Sequence, residues 1–178
     1  MHYHVPGRDA TNPPSSVVRG RQHVGVEIQT ELLTADAPAL ETVLGWHWHE
    51  WSADEEGDLD SWRARLRGRS LVDGIPFTLV AFLDAEPVGC LTVCHDDADA
   101  RFPDHGPWLS GMLVIGRARD LGAGRTLLAD GATRARSSGA TELWLYTSEA
   151  ARFYERCGYR VAHAKESLHD NAVLWRAL

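Results

Sequence analysis

The segment from Trp108 to Tyr159 constrains the fold of this chain most strongly, because strand-like and helix-like patterns alternate along it. Residues 108–115 are mostly apolar, which is typical of a strand buried on both faces, and a loop with two glycines follows. Small and apolar residues recur at helical spacing over 124–138, and Gly139 is a candidate C-cap. A second apolar run at 143–147 predicts another strand. Two strands joined through one helix predict a right-handed crossover between parallel strands.

The loop before this helix predicts a binding site for a phosphate-bearing cofactor. A helix N-terminus carries unpaired amides and the positive end of the helix dipole, which suits phosphate. Gly122 and Gly124 remove side chains that would block the backbone, while Arg119 and Arg125 add cationic donors. A tight turn that merely carries two glycines is the alternative. A dinucleotide site is disfavoured, because the nearby acidic residue, Asp130, falls inside the helix.

Two sequence motifs follow each other in this segment. Residues 119–124, RDLGAG, match an R/Q-x-x-G-x-G/A loop between a strand that ends near Val114 and a long helix. Residues 151–159, ARFYERCGY, resemble an A-x-x-F-Y-x-x-x-G-F/Y segment, whose first alanine falls on Ala150. In this order and at this separation the motifs resemble those of the GNAT acyltransferase superfamily, and the resemblance extends over residues 27–178.

The resemblance implies an α/β (α+β) fold built on one sheet. The sheet would be mixed, mostly antiparallel and twisted, with about six to seven strands, flanking helices and a V-shaped splay between two parallel strands. The patterns along the chain predict a strand, two helices, three strands, a helix, a strand, a helix and two strands, which is the family order. We predict a flexible leader over 1–23 and a single GNAT-like domain over 24–178.

The resemblance also implies acetyl-CoA as cofactor, with its pyrophosphate on the glycine loop and its pantetheine arm along the preceding strand. Gly111 predicts a bulge in that strand, and the amide near Met112 is the candidate oxyanion donor. Tyr154 matches the family tyrosine whose hydroxyl points at the CoA sulfur, so it is the candidate general acid. The predicted cofactor-binding residues are Met112, Leu113, Val114, Arg119, Asp120, Leu121, Gly122, Ala123, Gly124, Arg125, Thr126, Ser148 and Tyr154.

Two positions depart from the family pattern. Ser148 stands where many relatives carry asparagine, and Trp108 stands where many carry a glutamate that acts as base. The base must therefore come from elsewhere, and the candidates are Glu50, His95, Asp97 or an ordered water. Glu50 is the predicted catalytic residue beside the tyrosine.

The acceptor pocket of this family is lined by the first helices and their connection. Here residues 46–51, WHWHEW, combine tryptophans with one carboxylate, a set that could hold an amine by cation–π and charge contacts. Packing of the three tryptophans into a core is the alternative. An acidic linker over 54–60 either attracts an ammonium substrate or is a solvated loop. The predicted substrate-binding residues are Trp46, Glu50, Trp51, His95, Asp97 and Trp108.

The histidines do not predict a metal site. On a helix, His47 and His49 point about 200° apart, whereas helical zinc motifs use i, i+4 spacing. We therefore predict one buried and one exposed histidine and no metal cofactor.

The net charge and the cysteines limit which binding partners and which cellular compartment are expected. The formal net charge of -7 argues against nucleic acid, because phosphate contacts need a basic surface. The sequence has no run of about 18 apolar residues that would predict a transmembrane helix, so no membrane partner is expected. Cys90 and Cys94 would lie roughly 13 Å apart on one strand, beyond disulfide reach. Reduced thiols favour a cytoplasmic location.

These observations together predict an acetyl-CoA-dependent N-acetyltransferase. The acetyl group would pass directly, in a ternary complex, to a primary amine on a small cationic molecule or a peptide N-terminus. The alternative is a non-catalytic acyl-CoA-binding regulatory module. Trp108, in the place of the family glutamate, leaves this alternative open, whereas the presence of Tyr154 disfavours it. A homodimer is also left open.

Overall fold

The structure, a computed structural model, describes residues 27–53, 55–167 and 170–178. The predicted leader and residues 24–26 of the first predicted strand lie outside the described residues. The strands are β1 (Ile28–Leu32), β2 (Phe77–Leu83), β3 (Glu86–Cys94), β4 (Trp108–Val114), β5 (Glu142–Thr147), β6 (Arg160–His163) and β7 (Ala172–Ala177). The helices are α1 (Leu40–Trp51), α2 (Leu59–Gly68), α3 (Ala123–Ser137) and α4 (Ala151–Arg156), with a 3₁₀ turn at Gly116–Ala118. This order confirms the predicted order.

All seven strands lie in one sheet, in the order β1-β2-β3-β4-β5-β7-β6. Within the described ranges β4 and β5 are the parallel neighbours, and the other neighbours pair antiparallel. The pairing of β4 with β5 consists of Trp108 opposite Trp144, and the Trp144 amide donates to the Pro107 carbonyl at 3.0 Å. Beyond this point the two strands diverge, which confirms the predicted mixed sheet with a splay between parallel strands.

Helices cover both faces of the sheet. On β2, Leu79 belongs to the apolar cluster under α3, while the next residue, Val80, belongs to the cluster under α1 and α2. Because successive strand residues point to opposite faces, α3 lies on one face and α1 and α2 lie on the other. Helix α3 approaches the sheet closely at Gly131, where an added Cβ would lie 2.5 Å from Leu91 Cδ2.

The end of α3 confirms the predicted role of Gly139. Its φ is +89°, a left-handed conformation in which glycine has no steric penalty. The Gly139 amide donates to the Arg136 carbonyl, and the Ala140 amide donates to the Ala135 carbonyl, both at 3.0 Å. This pair of bonds is the Schellman motif, which satisfies carbonyls at the end of the helix.

The start of α1 differs from its prediction. Thr34 and Asp36 are residue types that favour the N-cap position and predict an earlier start. The helix instead begins at Leu40 with Ala39 at the cap position. Two successive turns precede it, in which the Ala37 amide donates to the Thr34 carbonyl and the Leu40 amide donates to the Ala37 carbonyl. These turns use the backbone groups that an earlier helix start would need.

The polar and proline-containing sequence at 84–87 predicts a four-residue connection, but the β2–β3 hairpin turns on two residues, Asp84 and Ala85. Both are left-handed, with φ of 51° and 65°, and Leu83 pairs with Glu86 across the turn. A two-residue turn with positive φ at both positions is of type I′, which matches the twist of the flanking strands. Alanine is a poor residue for the second position, because its Cβ opposes the left-handed conformation.

Replacing this alanine by glycine should stabilise the protein. We expect Ala85→Gly to raise the free energy of unfolding by about 0.5–1 kcal/mol, because relief of the left-handed strain exceeds the added flexibility of the unfolded chain. Urea denaturation measures the change. The control is Ala129→Gly, at an exposed site inside α3, which should destabilise by about 1 kcal/mol. A loss of stability in both variants would contradict the assignment of the turn.

Candidate active site

Two cavities lie along the diverging part of β4. The larger, of about 760 Å³, is lined by residues 112–114 of β4, by the glycine loop and by α4. The smaller, of about 510 Å³, is lined by α1, α2, β4 and the end of β5. Three residues, Trp51, Met112 and Tyr154, line both cavities. The two cavities therefore meet at these side chains.

A bulge in β4 stands at this junction. Cys90 pairs with Leu113 and Thr92 pairs with Ser110, so Gly111 and Met112 together face Leu91 across the break in register. Gly111 has a φ of +54°, as the first residue of a glycine bulge does. The predicted bulge is confirmed.

The carbonyl of Gly111 accepts hydrogen bonds from two side chains. His47 Nε2 lies 3.2 Å from this oxygen, and Cys90 Sγ lies 3.5 Å from it. A carbonyl only accepts, so the proton of the neutral imidazole is assigned to Nε2. A Cβ on Gly111 would lie 2.8 Å from His47 Cε1, so this contact requires glycine.

Burial keeps His47 neutral. The ring packs edge-on to Trp51, with centroids 5.1 Å apart. Desolvation is the main cause that lowers the pKa of His47 to about 4, and the nearby guanidinium groups of Arg65 and Arg69 lower it further. The bond to the Gly111 carbonyl opposes this shift. The predicted contrast between the two histidines holds in part: His47 is half-buried rather than buried, whereas His49 is exposed on the same helix.

The glycine loop presents backbone amides to the larger cavity. Asp120 and Gly122 are left-handed, with φ of 63° and 94°, and a Cβ on Gly122 would meet open space. The Thr126 amide donates to the Gly122 carbonyl at 3.0 Å, so the amides of residues 123–125 precede this first helical bond. The Thr126 hydroxyl turns back to the same carbonyl, at 3.3 Å. Arg119, Arg125 and Arg156 line the same cavity.

Gly124 lines the larger cavity and also allows close packing of α3 against its neighbours. A Cβ at this position would lie 3.1 Å from Phe153 Cζ and 3.3 Å from Met112 Cε. The side of the helix at Gly124 therefore packs against α4 and β4. Its small size serves close packing, whereas the backbone at Gly122 faces open space.

The Tyr154 hydroxyl lies at the junction of the cavities. It donates to Met112 Sδ at 3.4 Å, and the residue is only 9% exposed. A thioether sulfur is a weak acceptor, so this donor is poorly satisfied by the protein itself. Burial raises the pKa of Tyr154 to about 12, so the phenol keeps its proton at neutral pH.

The wall of the smaller cavity carries charges of both signs. Arg65 Nη1 pairs with Glu55 Oε2 at 2.8 Å. Arg69, which also lines the cavity, pairs with Asp96 at 3.0 Å. Asp97 accepts a hydrogen bond from Tyr146 Oη at 3.1 Å. Of the carboxylates that line the cavity, Glu55 pairs with arginine, whereas Asp97 is bonded to a neutral phenol.

The structure separates several residues that were predicted to bind the substrate. Trp108 is 0% exposed and donates its Nε1–H to the His105 carbonyl at 2.7 Å, so its side chain cannot contact a substrate. Trp46 packs against the cluster beneath α1 and α2. His95 lines a separate surface hollow beside Pro76. These three predictions are corrected, since packing or position directs the side chains away from the two cavities.

The remaining predicted residues fall on one cavity or the other. Trp51 lines both cavities, and Asp97 lines the smaller one. Glu50 lies on the larger cavity, which separates it from the charged wall of the smaller one. Ser148, predicted to contact the cofactor, lines the smaller cavity and accepts from Lys165 Nζ through its carbonyl at 2.8 Å.

Residues that the sequence did not single out complete both cavities. Tyr146 lies on β5 and is 38% exposed. Because side chains two residues apart on a strand point to the same face, its spacing from Trp144 is a sequence signal that the two share one face of the sheet. Arg65 and Arg69 are four residues apart on and just after α2, a spacing that brings them to one side of the helix. Arg156 occupies a variable position of the second motif, so the motif gave no signal for it.

The described part of the chain contains neither a cluster of metal ligands nor a membrane-spanning helix. Over residues 27–53, 55–167 and 170–178, no three or more histidine, cysteine, aspartate or glutamate side chains form a group suited to a metal ion. In the same ranges no helix is long and apolar enough to span a membrane.

Comparisons with known proteins agree with this geometry. The family model described as "Acetyltransferase (GNAT) family" matches residues 40–159. No curated protein sequence gives a significant match.

Solved structures share the fold at low sequence identity. An aminoglycoside 6'-N-acetyltransferase complexed with coenzyme A is 13% identical, with a TM-score of 0.65 over 84% of this chain and 96% of that chain. A GCN5-related N-acetyltransferase from Kribbella flavida is 19% identical, with a TM-score of 0.64 over 85% of this chain and 98% of that chain. The PaiA N-acetyltransferase from Thermoplasma acidophilum, in complex with coenzyme A, is 18% identical, with a TM-score of 0.60 over 85% and 99% of the two chains.

The half-buried imidazole of His47 predicts how stability depends on pH. His47 has a pKa of about 4 in the folded protein against an ordinary 6.5, so the unfolded chain binds this proton first as the pH falls. The contribution of neutral His47 to the free energy of unfolding is fully present above pH 6.5 and is lost as the pH falls toward 4. At about 1.36 kcal/mol per pKa unit, the loss reaches about 3 kcal/mol.

Urea denaturation at a series of pH values tests this expectation. His47→Gln cannot titrate, so its free energy of unfolding should fall less than that of the wild type between pH 6.5 and 4. His49→Gln, on the exposed side of the same helix, should keep the wild-type dependence. Identical curves for the wild type and His47→Gln would show that His47 titrates normally.

Proposed function

The chain belongs to the GNAT acetyltransferase family, and we propose that it transfers the acetyl group of acetyl-CoA to a primary amine. The observation that carries the proposal is the meeting of two cavities at Trp51, Met112 and Tyr154. A transferase with a ternary complex needs two substrate sites that open onto one reaction centre. The Tyr154 hydroxyl lies at that centre with only a thioether as acceptor.

The larger cavity fits acetyl-CoA. The amides of residues 123–125 and the open space at Gly122 give a diphosphate close access to the helix N-terminus. Arg119, Arg125 and Arg156 would add charge-assisted donors. The backbone of residues 112–114 would pair with the amide groups of the pantetheine arm. Coenzyme A in the solved structures of similar fold supports this assignment.

The smaller cavity would hold the acceptor. Trp51 and Tyr146 offer aromatic faces, and Asp97 offers a carboxylate that no arginine neutralises by direct contact among the described residues. Aromatic faces beside a carboxylate suit an ammonium group. We therefore propose a small cationic amine as acceptor, or a peptide N-terminus.

The reaction as proposed needs one base and one acid. The amine nitrogen bonds to the acetyl carbon as the carbon–sulfur bond breaks. The nitrogen loses two protons in all. One passes through the base to solvent, and the other balances the proton that the acid gives to sulfur. Asp97 lines the acceptor cavity, unlike Glu50 and His95, so it would take the ammonium proton directly or through one water. Tyr154 would give its proton to the sulfur, and the Met112 amide would donate to the carbonyl oxygen. No step of this scheme calls for a metal.

Loss of one loop arginine tests the cofactor site. Arg125→Gln should weaken acetyl-CoA binding about tenfold, because a charge-assisted hydrogen bond contributes about 1.5–3 kcal/mol. Isothermal titration calorimetry measures the affinity. Arg136→Gln, an exposed substitution near the other end of α3, removes the same charge away from the cavity and should leave binding unchanged. Equal affinity for the wild type and Arg125→Gln would reject the loop as the phosphate site.

Removal of the Tyr154 hydroxyl tests catalysis. Tyr154→Phe keeps the ring contacts with Phe153 and Tyr159 but removes the proton donor. We expect kcat to fall at least about tenfold while acetyl-CoA affinity stays nearly the same, because the hydroxyl acts mainly in the transition state. Thiol release across a panel of amines is the assay.

Tyr159→Phe is the matched control. Tyr159 is a buried neighbour, and its hydroxyl has no partner among the described residues, so its removal should leave kcat unchanged. A loss of acetyl-CoA affinity with normal turnover in Tyr154→Phe would assign the hydroxyl a binding role only. Tight acetyl-CoA binding without turnover on any amine would favour a regulatory acyl-CoA-binding module instead.

A further inference from the structure

Two side chains support the bulge of β4, and one of them, His47, also lines the smaller cavity. His47 on α1 and Cys90 on β3 both reach the Gly111 carbonyl, at 3.2 Å and 3.5 Å. Neither side chain takes part in the proton transfers of the proposed reaction. Their shared contact is the peptide group that joins Gly111 to Met112, the residue common to both cavities.

We propose that His47 is a positioning residue that aims the Met112 amide at the junction of the two cavities. The Gly111–Met112 peptide is trans, and in a trans peptide the carbonyl and the following N–H point in opposite directions. Holding the Gly111 carbonyl toward α1 therefore holds the Met112 N–H away from α1. This inference rests on the proposed function, in which the Met112 amide donates to the acetyl carbonyl.

The bulge itself creates the need for this support. In a regular strand a carbonyl bonds to the neighbouring strand, but the β3–β4 register breaks between the Cys90 and Thr92 pairs. An unpaired buried carbonyl is costly, and a peptide without a partner can rotate. His47 Nε2–H gives the Gly111 carbonyl a donor in place of the lost strand pairing.

The geometry makes the histidine and the glycine interdependent. A Cβ on Gly111 would lie 2.8 Å from His47 Cε1 and 3.0 Å from Nε2, so a larger residue would displace the ring. The ring is fixed on its other side by the edge-on contact with Trp51, which itself lines both cavities. The imidazole therefore has little freedom to leave the carbonyl.

The alignment of the amide should matter for the reaction rate. A donor aimed at the oxygen that gains negative charge is worth about 10²–10³ in kcat, and a misaligned donor loses part of that effect. We expect His47→Leu, which cannot donate, to lower kcat about tenfold or more while the KM for acetyl-CoA, whose proposed cavity His47 does not line, stays within about threefold. His47→Gln, which keeps an N–H donor, should stay within about threefold of the wild type.

An infrared measurement tests the positioning without turnover. The carbonyl of ¹³C-labelled acetyl-CoA vibrates at a lower frequency when it accepts a hydrogen bond. We expect the bound frequency to be lowered in the wild type and in His47→Gln, and to move back toward that of free acetyl-CoA in His47→Leu. His49→Leu, on the exposed side of α1, is the matched control and should behave as the wild type.

The outcomes separate this inference from the proposed function. A wild-type frequency and wild-type kcat in His47→Leu would overturn the inference and leave the proposed function standing. Bound acetyl-CoA with no thiol release on any amine would overturn the proposed function, while the frequencies still decide the inference. If the wild type does not bind acetyl-CoA, both fail. Should His47→Leu not fold, His47→Asn replaces it, because its shorter side chain retains a donor that cannot reach the carbonyl.

Discussion

Strands β4 and β5 are joined at Trp108 and Trp144, and both cavities depend on the gap that opens beyond this pair. Parallel strands normally share a continuous ladder of hydrogen bonds. Here the ladder stops at its first rung, and the Trp108, Trp144 and Trp175 rings pack together at the closed end. The aromatic cluster fixes the two strands at one end without pairing them further. Beyond this pair the backbone groups of β4 do not pair with β5.

The fold and the conformation of the glycine loop could be predicted because their signals are local in sequence. The loop at 119–124 and the helix after it follow from backbone requirements of adjacent residues, and the structure gives Gly122 the left-handed conformation that such a loop needs. Tyr154 was found through a motif of neighbouring positions, and it lies where the two cavities meet. The bulge at Gly111 was predicted in the same way, from a glycine inside a strand.

The acceptor side could not be predicted because it is assembled from distant parts of the chain. His47 and Gly111 are 64 residues apart, and their contact depends on how α1 lies on the sheet. His95 and Asp97 are two residues apart in one loop, yet they line different hollows. Gly124 shows a related difficulty, since its role in packing depends on Phe153 of another helix. Sequence spacing alone contains none of these distances.

The buried, aromatic surroundings of position 108, where β4 and β5 pair, suit a tryptophan better than a carboxylate. A carboxylate at this fully buried position, among aromatic rings, would lose its hydration with no cation in contact, which is costly. The base of the proposed reaction is therefore better placed on the loop that precedes β4. Arg101 anchors that loop by ion pairs with Asp99 at 2.7 Å and with Asp170 at 2.8 Å, next to the start of β7. Asp97 is two residues from Asp99 and accepts a hydrogen bond from Tyr146 on β5, so its carboxylate is held in place beside the cleft.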